Sequence, residues 1–166
     1  RDIRCKRGLF SSEILTEDES TFRALLVRFR NLVENHPGCY VIAPLGIGAH
    51  RDHVLVFEAV RKMSRDLGYT DRVFYYEDFP YAVNSNVWRF VRELPIRLRP
   101  SSVAIDDTLG ERIALAKRYS SQVSALLGDN VSAERAITRY AVLSGTRGQA
   151  RERFWSESPR WWRRSA

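Results

Sequence analysis

The chain has 166 residues, of which 44% are hydrophobic and 28% charged, and its 27 basic and 20 acidic side chains give a net charge of +7. That length fits a single domain with a sizeable core, and the apolar fraction excludes a disordered chain. The sequence contains no run of about 18 apolar residues, so no transmembrane segment is predicted. Its two cysteines are too few for a disulfide framework or a four-cysteine metal site.

The arginine excess of the chain carries little information about its partners. Arg61 lies three residues from Glu58, and Arg112 follows Glu111. Such interleaving of charges is typical of solvated helix faces, so no nucleic-acid partner is predicted. The basic and aromatic cluster at residues 160–164 either contacts a phosphate or membrane interface or packs its tryptophans on the domain.

The first regular elements predicted along the chain are a helix and a buried strand. Residues 1–20 are polar and are expected to be peripheral. From Thr21 apolar residues recur three and four positions apart, which predicts an amphipathic helix that ends at His-Pro-Gly 36–38. Residues 39–43 are a short apolar run with β-branched side chains, which indicates a buried strand.

A loop, a helix and a second strand follow and complete a βαβ unit. Residues 44–49 form a glycine-bearing loop, and the apolar spacing over 54–67 predicts a second amphipathic helix. Residues 72–76 are typical of another strand. The two strands should be parallel and joined by a right-handed crossover.

The second half of the chain is less regular, with prolines at 80, 95 and 100 and then predicted helices over 109–127 and 132–143. The expected fold class is α/β, a parallel sheet flanked by helices in a single domain over 1–166, with 156–166 peripheral. Two strands are few for a stable sheet. We therefore expect further strands in polypeptide outside this chain.

The loop after the first strand brings two of the three histidines close together, in the sequence Gly-Ile-Gly-Ala-His-Arg-Asp-His at 46–53. Open α/β sheets bind ligands at the carboxyl ends of their strands, and glycines let a loop turn tightly there. If the helix begins near Asp52, His50 just precedes its first turn and His53 lies within it. Both imidazoles then face one crevice.

Three roles are compatible with this cluster. The first is zinc ligation by a neutral imidazole, which in a catalytic site needs about three protein ligands. The second is acid–base catalysis, with Asp52 orienting a histidine. The third is structural, with Asp52 capping the helix and both histidines at the surface. A dinucleotide-binding loop is excluded, because the third glycine of that motif is missing.

Four segments together resemble the PIG-L/LmbE-like deacetylases. They occur in the expected order and cover about residues 40 to 155: PLGIGAHRDHV at 44–54, YEDFPYA at 76–82, KRYSSQ at 117–122 and ERFW at 152–155. The members of this family are zinc-dependent N-deacetylases with a Rossmann-like sheet, and most act on N-acetylglucosamine-type sugars. The resemblance implies the same fold and chemistry for this chain.

The resemblance also implies roles for individual residues. His53 would be a zinc ligand, and His50 would meet the tetrahedral intermediate as an electrostatic stabiliser or proton donor. Asp52 would orient His50. The other zinc ligands and the catalytic base would come from an N-terminal His-Pro-Asp-Asp motif, which this chain lacks. We therefore expect an N-terminal portion of the same enzyme to complete the zinc site, and the chain alone to be inactive.

Further candidates for the substrate site flank the histidines. Arg51 occupies a position where the family often has proline, and its cation would favour an anionic substrate or weaken metal binding. Tyr76, Glu77 and Asp78 follow the second strand at the same sheet edge. Either they line a cleft for an N-acylated sugar or amine, or the two acids pair with arginines or cap a turn before Pro80.

A second functional class is a non-catalytic remnant that holds an anionic partner on a basic surface. Its affinity would fall steeply with salt. The residues encoded upstream of Arg1 distinguish the two classes, because only the hydrolase requires a strand followed by His-Pro-Asp-Asp. The two cysteines lie far apart in the sequence and fit a reducing compartment, so a cytoplasmic location is expected.

Overall fold

One mixed sheet of four strands organises the part of the chain that the computed structural model describes, residues 14–127, 129–145 and 148–158. The strand order is β1-β2-β4-β3. The strands are β1 (Val41–Pro44), β2 (Val73–Tyr76), β3 (Arg99–Ala104) and β4 (Arg151–Ser156). The basic and aromatic cluster at 160–164 lies outside the described residues.

The described residues also form six α-helices. They are α1 (Glu19–Asn35), α2 (Arg51–Asp66), α3 (Val87–Glu93), α4 (Leu109–Lys117), α5 (Ser120–Leu127) and α6 (Asn130–Leu143). Within the described ranges, none of the helices is both long enough and apolar enough to cross a membrane.

The predicted βαβ unit is confirmed. Strands β1 and β2 are parallel, with Val41 opposite Val73 and Pro44 opposite Tyr76, and α2 connects them. The α/β class is therefore confirmed, and the carboxyl ends of both strands meet at one edge of the sheet.

The antiparallel half of the sheet was not predicted. Strand β4 pairs antiparallel with both β2 and β3, so the sheet is mixed and not purely parallel. Strand β3 lies at an edge and all its residues are exposed or half-exposed, so the sequence shows no apolar alternation there. Its Pro100 is also tolerated because an edge strand does not need every ladder hydrogen bond.

The predicted helix over 109–127 is divided in two. The amides of Arg118 and Tyr119 donate to the carbonyls of Leu115 and Ala116, three residues back, which tightens the end of α4. Helix α5 then starts again at Ser120. No glycine or proline marks this break, so periodicity alone gave one continuous helix.

The main core lies between one face of the sheet and helices α1, α2 and α3. From the sheet this core takes alternate residues of β1 and β2 together with Trp155 of β4, and from α2 it takes Phe57, Val60 and Met63. The rings of Phe57 and Tyr75 lie 4.9 Å apart between centroids. This packing fixes α2 against the parallel pair, and so fixes the loop that starts α2.

Candidate active site

The loop between β1 and α2 is anchored to the end of β2. The amide of Leu45 donates to the carbonyl of Tyr76 at 2.9 Å, which continues the ladder one residue beyond β1. The side chains of Leu45 and Ile47 are fully buried. These two apolar side chains hold the loop against the core, because returning them to water costs about 1.5–3 kcal/mol each.

The loop then turns through backbone conformations that favour glycine. Gly46 and Gly48 have φ of +85° and +84°, and Ala49 has φ of +55°. A Cβ added to Gly48 would lie 2.5 Å from the Cβ of Tyr81. Gly48 therefore has two reasons to be glycine, its φ and its close approach to Tyr81.

The turn delivers two imidazoles to one place. His50 is the residue that precedes α2, and His53 lies in the first turn, as the sequence predicted for the helix start. Their ring centroids are 4.8 Å apart. The ring of Tyr81 lies 6.2 Å from that of His50 and 6.1 Å from that of His53. Three rings thus form one cluster at the carboxyl ends of the parallel strands.

Asp78 connects this cluster to the loop. Its side chain is buried, with Oδ1 lying 2.7 Å from Nδ1 of His53 and Oδ2 accepting a hydrogen bond from the amide of Ile47 at 2.9 Å. Nδ1 is therefore the ring nitrogen of His53 that faces this carboxylate. A proton on Nδ1 would lie between the two groups and would leave Nε2 with a free lone pair, as in metal-binding histidines supported by a carboxylate.

The second imidazole is held mainly in its neutral form. Burial and then the neighbouring His53 lower the pKa of His50, while the charges of Asp52 and Asp78 raise it to a smaller extent. A neutral imidazole still has one N–H donor and one acceptor nitrogen. A neutral His50 can therefore donate a hydrogen bond as an electrostatic stabiliser, whereas the role of proton donor needs the imidazolium form, which the lowered pKa disfavours.

The structure corrects the role expected of Arg51. Its side chain is 5% exposed, and its guanidinium pairs with Asp18 and, at 2.6 Å, with Glu17. These hydrogen bonds raise the pKa of Arg51. The cation is turned to the segment before α1, where it anchors the start of α2, and it is not the open anion-binding group that the sequence suggested.

Glu77 is buried and borders a cleft that Tyr76 also lines, but its carboxylate is engaged by other side chains. Its Oε1 accepts from Nε1 of Trp155 at 2.7 Å and from Nε of Arg153, and its Oε2 accepts from the Tyr140 hydroxyl. Burial and the charge of Glu77 raise the pKa of Tyr140. Both carboxylate oxygens are therefore used to join β2 to β4 and α6, which agrees with the alternative that this acid pairs with an arginine.

Of the other predicted site residues, Asp52 lies beside the histidines and Tyr76 lies at a neighbouring cleft. Asp52 is exposed in the first turn of α2, and its charge acts on His50. Tyr76 is half-buried and lines a cleft of about 460 Å³ with Phe79, Ile105 and Arg112. Burial, and next the charge of Asp78, raise the pKa of the Tyr76 phenol. The cleft is thus lined on one side by residues that lie next to Asp78 in the sequence, among them Tyr76 and Phe79.

The ligand set for zinc is of the right type but incomplete. His53 offers an imidazole nitrogen with its other nitrogen supported by Asp78, which is the arrangement that zinc ligands have. Among the described residues, however, no group of three or more His, Cys, Asp or Glu side chains could hold a metal ion. This part of the chain can contribute to a zinc site only together with ligands from elsewhere.

Tyr81 is the member of the cluster that sequence reasoning missed. It belongs to the segment that resembles the deacetylases, but it was given no role. Burial, and next the charge of Asp78, raise the pKa of its phenol. The close approach to Gly48 places its ring beside both histidines, and only the parallel pairing of β1 and β2 brings these two loops together.

Comparisons with known proteins identify the fold. No family model matches the sequence, and no curated protein matches it. Among solved structures, the zinc-inhibited form of the teicoplanin deacetylase Orf2 superposes with a TM-score of 0.69 at 22% identity, over 86% of this chain and 53% of that one. The A40926 pseudoaglycone deacetylase Dbv21 superposes with a TM-score of 0.68 at 24% identity, over 84% of this chain and 57% of that one.

A deacetylase in complex with teicoplanin gives a TM-score of 0.66 at 20% identity, over 87% of this chain and 52% of that one. The chain therefore has the fold of these deacetylases. It spans a little over half of the length of each of these three structures.

The packing of Gly48 against Tyr81 can be tested by a pair of substitutions. Gly68→Ala should cost about 1–2 kcal/mol, because Gly68 has a positive φ but open space around it. Gly48→Ala has the same backbone penalty and in addition must displace Tyr81, so it should lose at least about 1 kcal/mol more. Urea unfolding measures both, and equal losses would contradict the close packing.

The structural role of Glu77 leads to a second test. Glu77→Gln removes one acceptor oxygen and leaves Arg153 without its buried counterion, so the free energy of unfolding should fall by about 3–5 kcal/mol. Glu93→Gln is the control, since Glu93 pairs with Arg89 on the surface and should change the stability little. A Glu77→Gln protein as stable as the control would contradict the proposed network.

Proposed function

We propose that this chain forms the histidine-bearing part of the active site of a zinc-dependent N-deacetylase of the PIG-L/LmbE type. The reaction is hydrolysis of the amide that joins an acetyl or longer acyl group to an amine. The observation that carries the proposal is the contact between His53 and buried Asp78, with His50 beside it, at the carboxyl ends of the parallel strands.

His53 is the metal ligand in this proposal. Asp78 keeps the proton on Nδ1 and leaves Nε2 free to bind zinc, and its second oxygen holds the loop through Ile47. When bound, zinc would polarise the amide carbonyl and lower the pKa of a bound water. The remaining ligands and the base belong to the N-terminal portion of the enzyme, for which the His-Pro-Asp-Asp motif is the expected source.

His50 supplies the hydrogen bond to the oxyanion. Its ring lies 4.8 Å from that of His53, so a carbonyl held near the metal ligand is within reach of an N–H of His50. Such a donor typically contributes a factor of about 100 to 1,000 in rate. The ring of Tyr81 lies 6.2 Å from that of His50 and 6.1 Å from that of His53, so it is a neighbour of both imidazoles.

The substrate proposed is an N-acylated amino sugar, free or attached to a larger molecule. The structural neighbours include deacetylases of teicoplanin and of an antimicrobial pseudoaglycone, which supports an acylated amine of this kind. The cleft of about 460 Å³ next to Tyr76 combines apolar and charged residues and is large enough for a sugar ring or an acyl chain. We further propose a cytoplasmic enzyme.

Separate substitutions of the two histidines test these roles in the protein expressed from its complete reading frame. His53→Ala should lose zinc, since one of its few ligands is removed, and His50→Ala should retain zinc but lose turnover by about 100- to 1,000-fold. Metal analysis and hydrolysis of N-acetylglucosamine derivatives measure the two effects. Full zinc content in the His53→Ala protein would rule out His53 as a ligand.

Asp78→Asn tests the support of His53 without removing a ligand. An amide has one oxygen, so it can accept from His53 or from Ile47 but not from both, and zinc affinity should fall by about 10- to 100-fold. Asp66→Asn is the matched control, because Asp66 lies on the exposed side of α2 and pairs with Lys62. Equal zinc affinity in the two variants would refute this role of Asp78.

A further inference from the structure

The segment that runs from α3 into β3, residues 89–99, concentrates positive charge, and we call it the basic segment. It contains four arginines and a single acid, Glu93, which pairs with Arg89 at 2.8 Å. The other three arginines are exposed, and none of them forms an ion pair with a residue that the structure describes: Arg92, Arg97 and Arg99. Since their charge is not neutralised within this part of the fold, it is available to an anionic partner.

The packing of alternate residues directs two of these arginines outward. Ile96 and Leu98 are buried in the main core. Arg97 and Arg99 alternate with them as the chain enters β3, and consecutive side chains of an extended backbone point to opposite sides. Both guanidinium groups therefore lie on the side of the segment that faces away from the core.

Apolar residues lie between the arginines. Arg92 and Arg97 line a cavity of about 430 Å³ together with Leu94 and Pro95, and the described residues that line it include no acid. Pro95 is exposed and Leu94 is half-buried. Cationic side chains around an apolar centre are typical of protein surfaces that lie on the headgroup region of a membrane.

The basic segment lies at the end of the sheet opposite the histidines. Strands β2 and β3 are both antiparallel to β4, so they run in the same direction. Arg99 is the first residue of β3, so the chain before it lies toward the amino ends of the parallel strands. His50 and His53 instead follow the carboxyl end of β1. A partner bound to the basic segment would therefore leave the histidine cluster uncovered.

The chain after β4 continues from the same end of the sheet. Ser156 lies opposite Arg99, and the acid that follows it, Glu157, pairs with Arg65 at 3.2 Å. Outside the described residues, the sequence continues with Arg-Trp-Trp-Arg-Arg at 160–164. Four residues of chain span at most about 14 Å, so this cluster begins close to the basic segment.

We propose that the basic segment and the cluster at 160–164 form one docking surface for a membrane that contains anionic phospholipids. The arginines bind the lipid phosphates, and the apolar residues between them enter the boundary between headgroups and acyl chains, where tryptophan is favoured. This proposal goes beyond the proposed function and does not depend on it.

The exposure of the arginines favours an extended anionic surface over a discrete phosphate site. A site built for one phosphate converges several donors on it in a partly buried place, whereas Arg92, Arg97 and Arg99 are all exposed along the segment. Two adjacent tryptophans add apolar area that suits a lipid interface. Docking in this way would keep the proposed active site directed to the aqueous side.

Sedimentation with lipid vesicles tests the proposal in the protein expressed from its complete reading frame. The protein should bind vesicles of phosphatidylcholine mixed with phosphatidylglycerol, should not bind vesicles of phosphatidylcholine alone, and should be released by added salt. Absence of binding to the anionic vesicles at low ionic strength would overturn the proposal.

A triple variant measures the contribution of the basic segment. Each cationic side chain near an anionic membrane strengthens binding roughly fivefold. The substitutions Arg92→Gln, Arg97→Gln and Arg99→Gln together should therefore weaken binding to the anionic vesicles by about 100-fold.

The matched control removes the same charge elsewhere on the protein. Helix α6 contacts Glu77, beyond the carboxyl end of β2, through Tyr140. Three exposed arginines lie on this helix or directly after α4: Arg118, Arg135 and Arg139. Changing these three to glutamine should weaken vesicle binding by no more than about threefold, because salt screens charges that are distant from the membrane. Equal losses in the two triple variants would show that only net charge matters and would contradict the proposal.

The substitutions Trp161→Ser and Trp162→Ser together test the cluster at 160–164. They should weaken binding to the anionic vesicles severalfold, because less apolar area enters the interface. Binding as tight as that of the unsubstituted protein would refute a single docking surface that includes this cluster.

Competition distinguishes the membrane from other anionic partners. Inorganic phosphate added at constant ionic strength should not displace the vesicles, and duplex DNA should bind more weakly than vesicles that present the same concentration of phosphate groups. Displacement by phosphate would identify a discrete phosphate site, tighter binding of DNA would identify a nucleic-acid partner, and either result would overturn the proposal. Because these measurements need neither zinc nor turnover, the docking proposal and the proposed function succeed or fail separately.

Discussion

The buried carboxylate of Asp78 is the constraint on which the site depends. One oxygen lies against Nδ1 of His53, and the other accepts from the amide of Ile47 in the loop that carries both histidines. A buried carboxylate without such partners would be costly, so the carboxylate and its two partners stabilise one another. The same group thus fixes the loop backbone and selects the nitrogen of His53 that is free to bind.

The neighbouring acid, Glu77, performs a different task with the same chemistry. It joins β2 to β4 and α6 through Trp155, Arg153 and Tyr140. Two adjacent carboxylates after one strand therefore contact different parts of the fold. Asp78 contacts the histidine loop, and Glu77 contacts the antiparallel half of the sheet. Both residues directly follow β2, which ends at Tyr76.

The sequence predicted those parts of the fold that are specified locally. Apolar runs were enough to predict β1 and β2, and helical periodicity was enough to predict α2. The glycines before His50 indicated the loop between β1 and α2. Strands β3 and β4 could not be found in this way, because β3 is an exposed edge strand and pairs with residues about fifty positions later. The particular partners of Arg51 and Glu77 could not be identified for the same reason, since they lie 33 to 78 residues away, although pairing of Glu77 with an arginine was one of the alternatives.

The tautomer of His53 is the most direct test of this account, and nitrogen-15 NMR of the histidine side chains in the metal-free protein measures it. The contact with Asp78 predicts that the neutral imidazole carries its proton on Nδ1 and leaves Nε2 unprotonated, and that Asp78→Ala shifts the proton toward Nε2. A neutral His53 with its proton on Nε2 in the unsubstituted protein would contradict the account, because that nitrogen would then be unavailable to a metal.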